Sequence, residues 1–273
     1  MAVAAASAIV LAIPAPVAAH AGPDELKRAA DAAVAQRPDD PQAHLDRARV
    51  LRVIREWDAA LAELEAADAR GGDRDQIGAT RAEVLLDAGR PLAALHEIDR
   101  VLARRPDGYG LVFDRGRALL ALGHTEQAAQ AFGTAIKGMP APRPEHVFAR
   151  RDALLSLGQR EAAVAALDDG MARIGRVATL QLAALDIESE LGQYDRALRR
   201  VDELLAREGH NPAWIARRGE ILERAGRSAE ARAEYARALR LIEMHPAARR
   251  VRGFDELRRR LRTALASASQ GGK

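Results

Sequence analysis

Residues 109–142 read YGLVFDRGRALLALGHTEQAAQAFGTAIKGMPAP. Gly116, Leu119, Gly123, Ala128, Phe132, Ala135 and Pro140 punctuate this stretch, and each spacing carries a physical meaning. Gly116 falls inside an expected first helix, where glycine costs up to about 1 kcal/mol relative to alanine. That cost is accepted where two helix backbones must approach closely. Ala128 and Ala135, in an expected second helix, are small for the same reason, while Leu119 and Phe132 fill the space between. Gly123 follows the first helix, where the chain commonly turns through positive φ. Thr125 and Glu126 open the second helix and Pro140 stops it.

The pattern recurs on both sides. Aligned on the turn glycine and the second-helix alanine, units begin at Pro41, Asp75, Tyr109, Pro144, Ala178 and Pro212, with spacings of 34, 34, 35, 34 and 34 residues. Position 20 of every unit is alanine: Ala60, Ala94, Ala128, Ala163, Ala197 and Ala231. The turn glycine is Gly89, Gly123, Gly158, Gly192 and Gly226, replaced by Arg55 in the first unit. Gly72, Pro106, Pro140, Gly175 and Gly209 close the first five units.

This spacing resembles the tetratricopeptide repeat, a helix–turn–helix unit of about 34 residues. The resemblance runs from about Asp24 to Ser267 and implies an all-α, right-handed superhelical solenoid of six repeats, 41–246. Residues 22–40 supply an N-terminal capping helix, and residues 247–273 a basic capping helix with a disordered tail from Ser267. Two features depart from the family. Position 7 is arginine in five repeats (Arg47, Arg81, Arg115, Arg150, Arg218) and Ala184 in the fifth. Its long stems are expected to pack over neighbouring helices while the guanidinium meets carboxylates or helix-end carbonyls. Position 8, normally small, is Arg151 in the fourth repeat and Leu185 in the fifth, so those two first helices are expected to sit further from their partners.

Residues 1–21 contain no charged side chain. A short apolar run from Val3 to Leu11, then Pro14, Pro16 and Ala19-His20-Ala21, reads as a secretory signal peptide with Gly22 as the first mature residue. The n-region lacks the usual Lys or Arg. The chain is thus expected to be exported, periplasmic or secreted, with no transmembrane segment after cleavage. There is no cysteine, which excludes disulfides, thiol catalysis and a lipoprotein anchor. Net charge is +3 over 273 residues, but residues 247–262 carry seven arginines against Asp255 and Glu256, so the remainder is near −2. That basic end is read as the solvated face of a cap rather than a nucleic-acid surface, since aromatics are 3% of the chain and few are available to stack bases.

No pair of the seven histidines lies three or four residues apart, and no phosphate loop, nucleophile elbow or zinc motif occurs. The reading is of a non-enzymatic, monomeric protein with no cofactor and no metal. The resemblance places first-helix positions 5, 9 and 12 in a concave groove. Phe113, Leu120, Phe148 and Leu155 then make an apolar floor, flanked by basic Arg49, Arg52 and Arg117 and by acidic Asp152, Asp186 and Glu220. Such a groove suits a peptide or helix of another protein held by apolar anchors. The alternatives are that Phe113 and Phe148 only pack between neighbouring repeats, or that repeats three and four carry a small amphiphilic ligand. The groove has no Asn, so the family's carboxylate clamp for chaperone tails is not expected.

Overall fold

The structure, a computed structural model, describes residues 22–209, 211–244 and 252–270; the expected signal peptide lies outside them. The described residues form fourteen α-helices. After α1 (Pro23–Gln36) come six pairs: α2 (Pro41–Val53) with α3 (Trp57–Ala69), α4 (Arg74–Asp87) with α5 (Pro91–Leu102), α6 (Tyr109–Ala121) with α7 (Thr125–Gly138), α8 (Pro144–Ser156) with α9 (Arg160–Ile174), α10 (Ala178–Glu190) with α11 (Tyr194–Glu208), and α12 (Pro212–Arg224) with α13 (Ser228–Met244). The last helix is α14 (Arg252–Gln270). The chain divides after Gly138 into two compact units, the second opening at Met139.

The helix ends follow local chemistry. Proline occupies the first turn of α1, α2, α5, α8 and α12, where its missing N–H has no intrahelical partner to lose. Asp40, Asp73 and Asn211 accept hydrogen bonds from backbone N–H groups of the helices they precede. At each turn within a pair, one residue has positive φ, between 66° and 83°: Arg55, Gly89, Gly123, Gly158, Gly192 and Gly226. The next residue's N–H then returns to a carbonyl five residues back, as in Glu56 to Leu51 and His124 to Leu119, both 2.9 Å. Arg55 thus adopts the left-handed conformation with a side chain, at a cost that its five glycine counterparts avoid.

Inside each pair, size is matched across the crossing. The position-20 alanines are all within 2% of complete burial. Positions 8 and 24 pair Gly116 with Phe132 and Gly219 with Tyr235; a Cβ on either glycine would lie 2.5 Å from the ring. Ala48 shares a core cluster with Leu64, Ala82 with Ile98, and Leu185 with Val201. Arg151 does not enter: its guanidinium sits 4.4 Å from the centre of the Phe148 ring. The fourth and fifth pairs are less closely packed than the other four, as their position-8 residues predict.

The arginine column binds carboxylates. Arg47 meets Asp31 and Glu63, Arg81 meets Glu97, Arg115 meets Asp99, Arg150 meets Asp169, and Arg218 meets Asp202 and Glu234. The fifth repeat reverses the polarity. Ala184 is buried, and the guanidinium comes from Arg200 on the second helix, reaching Glu188 at 2.8 Å and Asp168 at 2.9 Å.

The end helices behave as caps. Lys27–Glu56 and Asp31–Arg47 tie α1 to the first repeat. On α14, Leu261 is buried and Phe254, Leu257 and Leu265 pack on the core of the sixth repeat; Val251, assigned to the same stripe, lies outside the described residues. One expectation needs correction. The helix continues past Ser267 to Gln270, because 264–270 contain no Gly or Pro to break it. Arg259, Arg260 and Arg262 remain mostly exposed, as expected of a solvated cap face, while Arg260 pairs with Glu220 and Arg262 with Glu243.

Replacing Arg55 by Gly removes left-handed strain and should raise stability by about 1 kcal/mol in denaturant titration, offset in part by the lost Arg55–Trp57 stacking. Gly123→Ala, at φ 83°, should lower it by a similar amount. Changes of the same sign in the two variants would contradict the turn assignment.

Candidate functional site

In the first unit, the expected basic end of the groove is internally neutralised. Arg52 pairs with Glu83 and Asp87, both at 3.0 Å; Arg117 pairs with Asp87 at 3.1 Å and Asp114 at 3.0 Å; Arg49 pairs with Asp46 at 2.9 Å. Arg49–Asp46 and Arg117–Asp114 lie within single helices, whereas the Arg52 pairs and Arg117–Asp87 run between first helices, from α2 to α4 and from α6 to α4, and link neighbouring repeats. Burial raises the Glu83 and Asp114 carboxyls above their ordinary values, against the pull of Arg52 and Arg117. Burial also opposes the charge of Arg117, but Asp114 and Asp87 more than compensate.

Phe113 is half-buried, with its ring centroid 4.9 Å from that of Phe132 in the same repeat. It therefore serves packing at least on that side, while Leu120 remains 40% exposed. Leu45 and Ala216, also at position 5, are only 2% exposed and belong to the core. That position does not face an open surface in every repeat.

The second unit brings four of the expected residues together. Phe148, Asp152, Leu155 and Asp186 line one open trough of about 420 Å³, with Arg151, Thr179, Leu182, Ala183 and Ile187 completing it. It lies between the first helices α8 and α10. Phe148, Leu155 and Leu182 are half-buried, leaving apolar surface available. The acidic end is quenched like the basic one: Arg151 pairs with Asp152, and Arg217 with both Asp186 and Glu220. Burial works against the charge of Arg217, and Glu220 and Asp186 overcome it. Glu220 also receives Arg260 from the C-terminal helix.

The expected floor of Phe113, Leu120, Phe148 and Leu155 therefore falls two and two in separate compact units. Arg151 is the trough residue that sequence reasoning misplaced. It was read as a spacer at a helix crossing, and its signal was an arginine three residues after a phenylalanine on one helix, close enough to stack. Among the described residues, no group of three or more His, Asp or Glu is placed to hold a metal ion, and no helix is long and apolar enough to cross a membrane.

The raised Glu83 and Asp114 carboxyls bind protons more readily in the folded chain than in the unfolded one. Their contribution to stability is therefore greatest at low pH and falls as pH rises through their folded-state values. Melting temperatures measured across that range should lose this downward slope in a Glu83→Gln, Asp114→Asn double variant. An unchanged slope would contradict the burial effect.

Comparison with known proteins follows the same architecture. A tetratricopeptide repeat model matches residues 25–74 and 80–144, and a tetratricopeptide repeat-like domain model matches residues 159–252. Among solved structures, the C-terminal part of a TPR repeat-containing protein from Cytophaga hutchinsonii superposes with a TM-score of 0.60 at 14% identity, covering 83% of this chain and 93% of that one. The Naa15/Naa10 structure bound to HypK-THB gives 0.51 at 16% identity, covering 89% and 36%. The APC/C hetero-tetramer Cut9–Hcn1 gives 0.50 at 10% identity, covering 88% and 46%. At these identities the likeness is one of fold. No curated protein matches the chain in sequence. With both family models falling on the helical pairs and the turn, crossing and cap residues in their places, the chain belongs to the tetratricopeptide repeat family.

Proposed function

We propose that this protein is a non-enzymatic interaction scaffold that holds a peptide or helix of another protein in the trough between α8 and α10, outside the cytoplasm. The open apolar surface of Phe148, Leu155 and Leu182 carries the reading. Its flanking charges are already paired within the chain, so recognition rests on apolar anchors more than on charge complementarity. The similar structures of Naa15/Naa10 bound to HypK-THB and of the Cut9–Hcn1 hetero-tetramer are assemblies of several chains, which supports a binding role here. The alternative, a carrier of a small amphiphilic ligand, calls for an enclosed apolar cavity; a trough open along its length favours the scaffold. The uncharged, alanine-rich start ending in Ala19-His20-Ala21 supports export.

A photo-crosslinking residue placed at Leu182 in the native host should trap one partner protein, and Phe148→Ala with Leu155→Ala should cut the yield about tenfold or more with little change in melting temperature. Unfolding of that variant would mean that these side chains are packing residues. Mass spectrometry of the native protein should find a start at Gly22 in an extracytoplasmic fraction; an intact Met1 in the cytosol would overturn the export reading.

A further inference from the structure

A cavity of about 350 Å³ in the first unit collects four arginines. Arg74, Ile77 and Arg81 line it from one face of α4, at spacings of three and four residues. Arg100 and Arg104, four residues apart, line it from the end of α5 and the turn that follows, and Asp68 of α3 completes it. The second repeat alone carries arginine at all four of these phases. The fourth repeat has three, Arg143, Arg150 and Arg173. Its remaining phase is Asp169, which holds Arg150 at 3.2 Å.

Arg81 is the one position-7 arginine without a hydrogen bond. Arg47, Arg115, Arg150 and Arg218 each donate to a carboxylate, at distances from 2.8 to 3.2 Å. Arg81 comes only within 3.7 Å of Glu97 Oε2, and Arg100 holds that same oxygen at 2.6 Å. Among the described residues Arg81 makes no other polar contact. Its side chain is 18% exposed, and none of its nitrogens is sealed from solvent. A largely buried guanidinium thus keeps its donors unused on the wall of an accessible cavity, a costly arrangement unless an acceptor arrives. Arg74 makes no ion pair either, while Arg104 is held by Asp75 at 2.7 Å.

We propose that this cavity binds the phosphate group of a small phosphate monoester. Arg74 and Arg81 come from α4, and Arg100 and Arg104 from the α5 end. A tetrahedral oxyanion has oxygens for donors arriving from two sides, whereas the two oxygens of a carboxylate lie in one plane and match a single fork. Four arginines against Asp68, Asp75 and Glu97 leave one positive charge, which favours an anion. Asp68, which has no ion pair within the chain, supplies an acceptor for a hydroxyl of the esterified group. The volume admits the phosphate and a few further atoms. This site belongs to the first unit and is separate from the trough between α8 and α10.

The test is calorimetric titration of the full chain with glycerol 3-phosphate, inorganic phosphate and acetate, with backbone amide NMR shifts to locate binding. Both phosphates should bind several-fold tighter than acetate and shift amides of α4 and the α5 end. Arg81→Gln should weaken their binding about tenfold with little change in melting temperature, since Arg81 has no hydrogen bond to lose. Arg100→Asp copies the fourth repeat, hands Arg81 a carboxylate and should abolish binding; it decides the matter if Arg81→Gln fails to fold. Arg90→Gln, outside the cavity, should bind as the parent does. No phosphate binding, acetate binding as tightly, amide shifts confined to other helices, or an Arg81→Gln variant that binds as before would overturn the proposal.

Discussion

The distance at which the two helices of a pair can cross governs this molecule. Position 20 is a buried alanine in all six pairs, so the second helix presents no bulk at the crossing and the first helix approaches until positions 8 and 24 meet. Those two positions then share a roughly constant space. Glycine accompanies an aromatic ring, alanine accompanies Leu64 or Ile98, and Leu185 accompanies the smaller Val201. Interiors packed to near-crystalline density tolerate little else. Where the residue is Arg151, the charged head leaves the crossing and lies over Phe148, which is how a packing departure becomes part of a surface.

Local rules were the most legible part of the sequence. Positive φ at the turn follows from glycine at a fixed phase, and Arg55 was identifiable by phase alone even though its side chain disfavours that conformation. The arginines of position 7 found carboxylates because each carries a long stem beside acidic residues of the neighbouring second helix. The end of α14 was misjudged because Ser and Ala at 267–269 were read as part of a tail, although neither residue breaks a helix. The groove charges were misjudged for a different reason. Several of their partners lie about a whole repeat away in sequence, as with Arg52 and Asp87 or Arg217 and Asp186, and a reading of charge by position counts such residues as free ends when they are linked in pairs.

That internal pairing shapes what the surface can recognise. A groove whose charges are spent on holding first helices together offers mainly its uncovered apolar residues. In the second unit these are Phe148, Leu155 and Leu182, at the two pairs whose position-8 residues are largest. In the first unit, Arg100 of the second repeat takes Glu97 from Arg81 and leaves that guanidinium facing a cavity. Repetition builds the frame, and departures from it leave groups without internal partners.

The most direct test of the crossing rule is a double-mutant cycle on Gly116 and Phe132, followed by chemical denaturation. Gly116→Ala alone forces a Cβ against the ring and should cost about 1–3 kcal/mol. Adding Phe132→Leu recreates the Ala–Leu combination of the first repeat, so the double variant should be more stable than Gly116→Ala alone, with a coupling of about 1 kcal/mol or more. Simple additivity of the two losses would show that positions 8 and 24 do not share one space, and would contradict size matching as the basis of the stack.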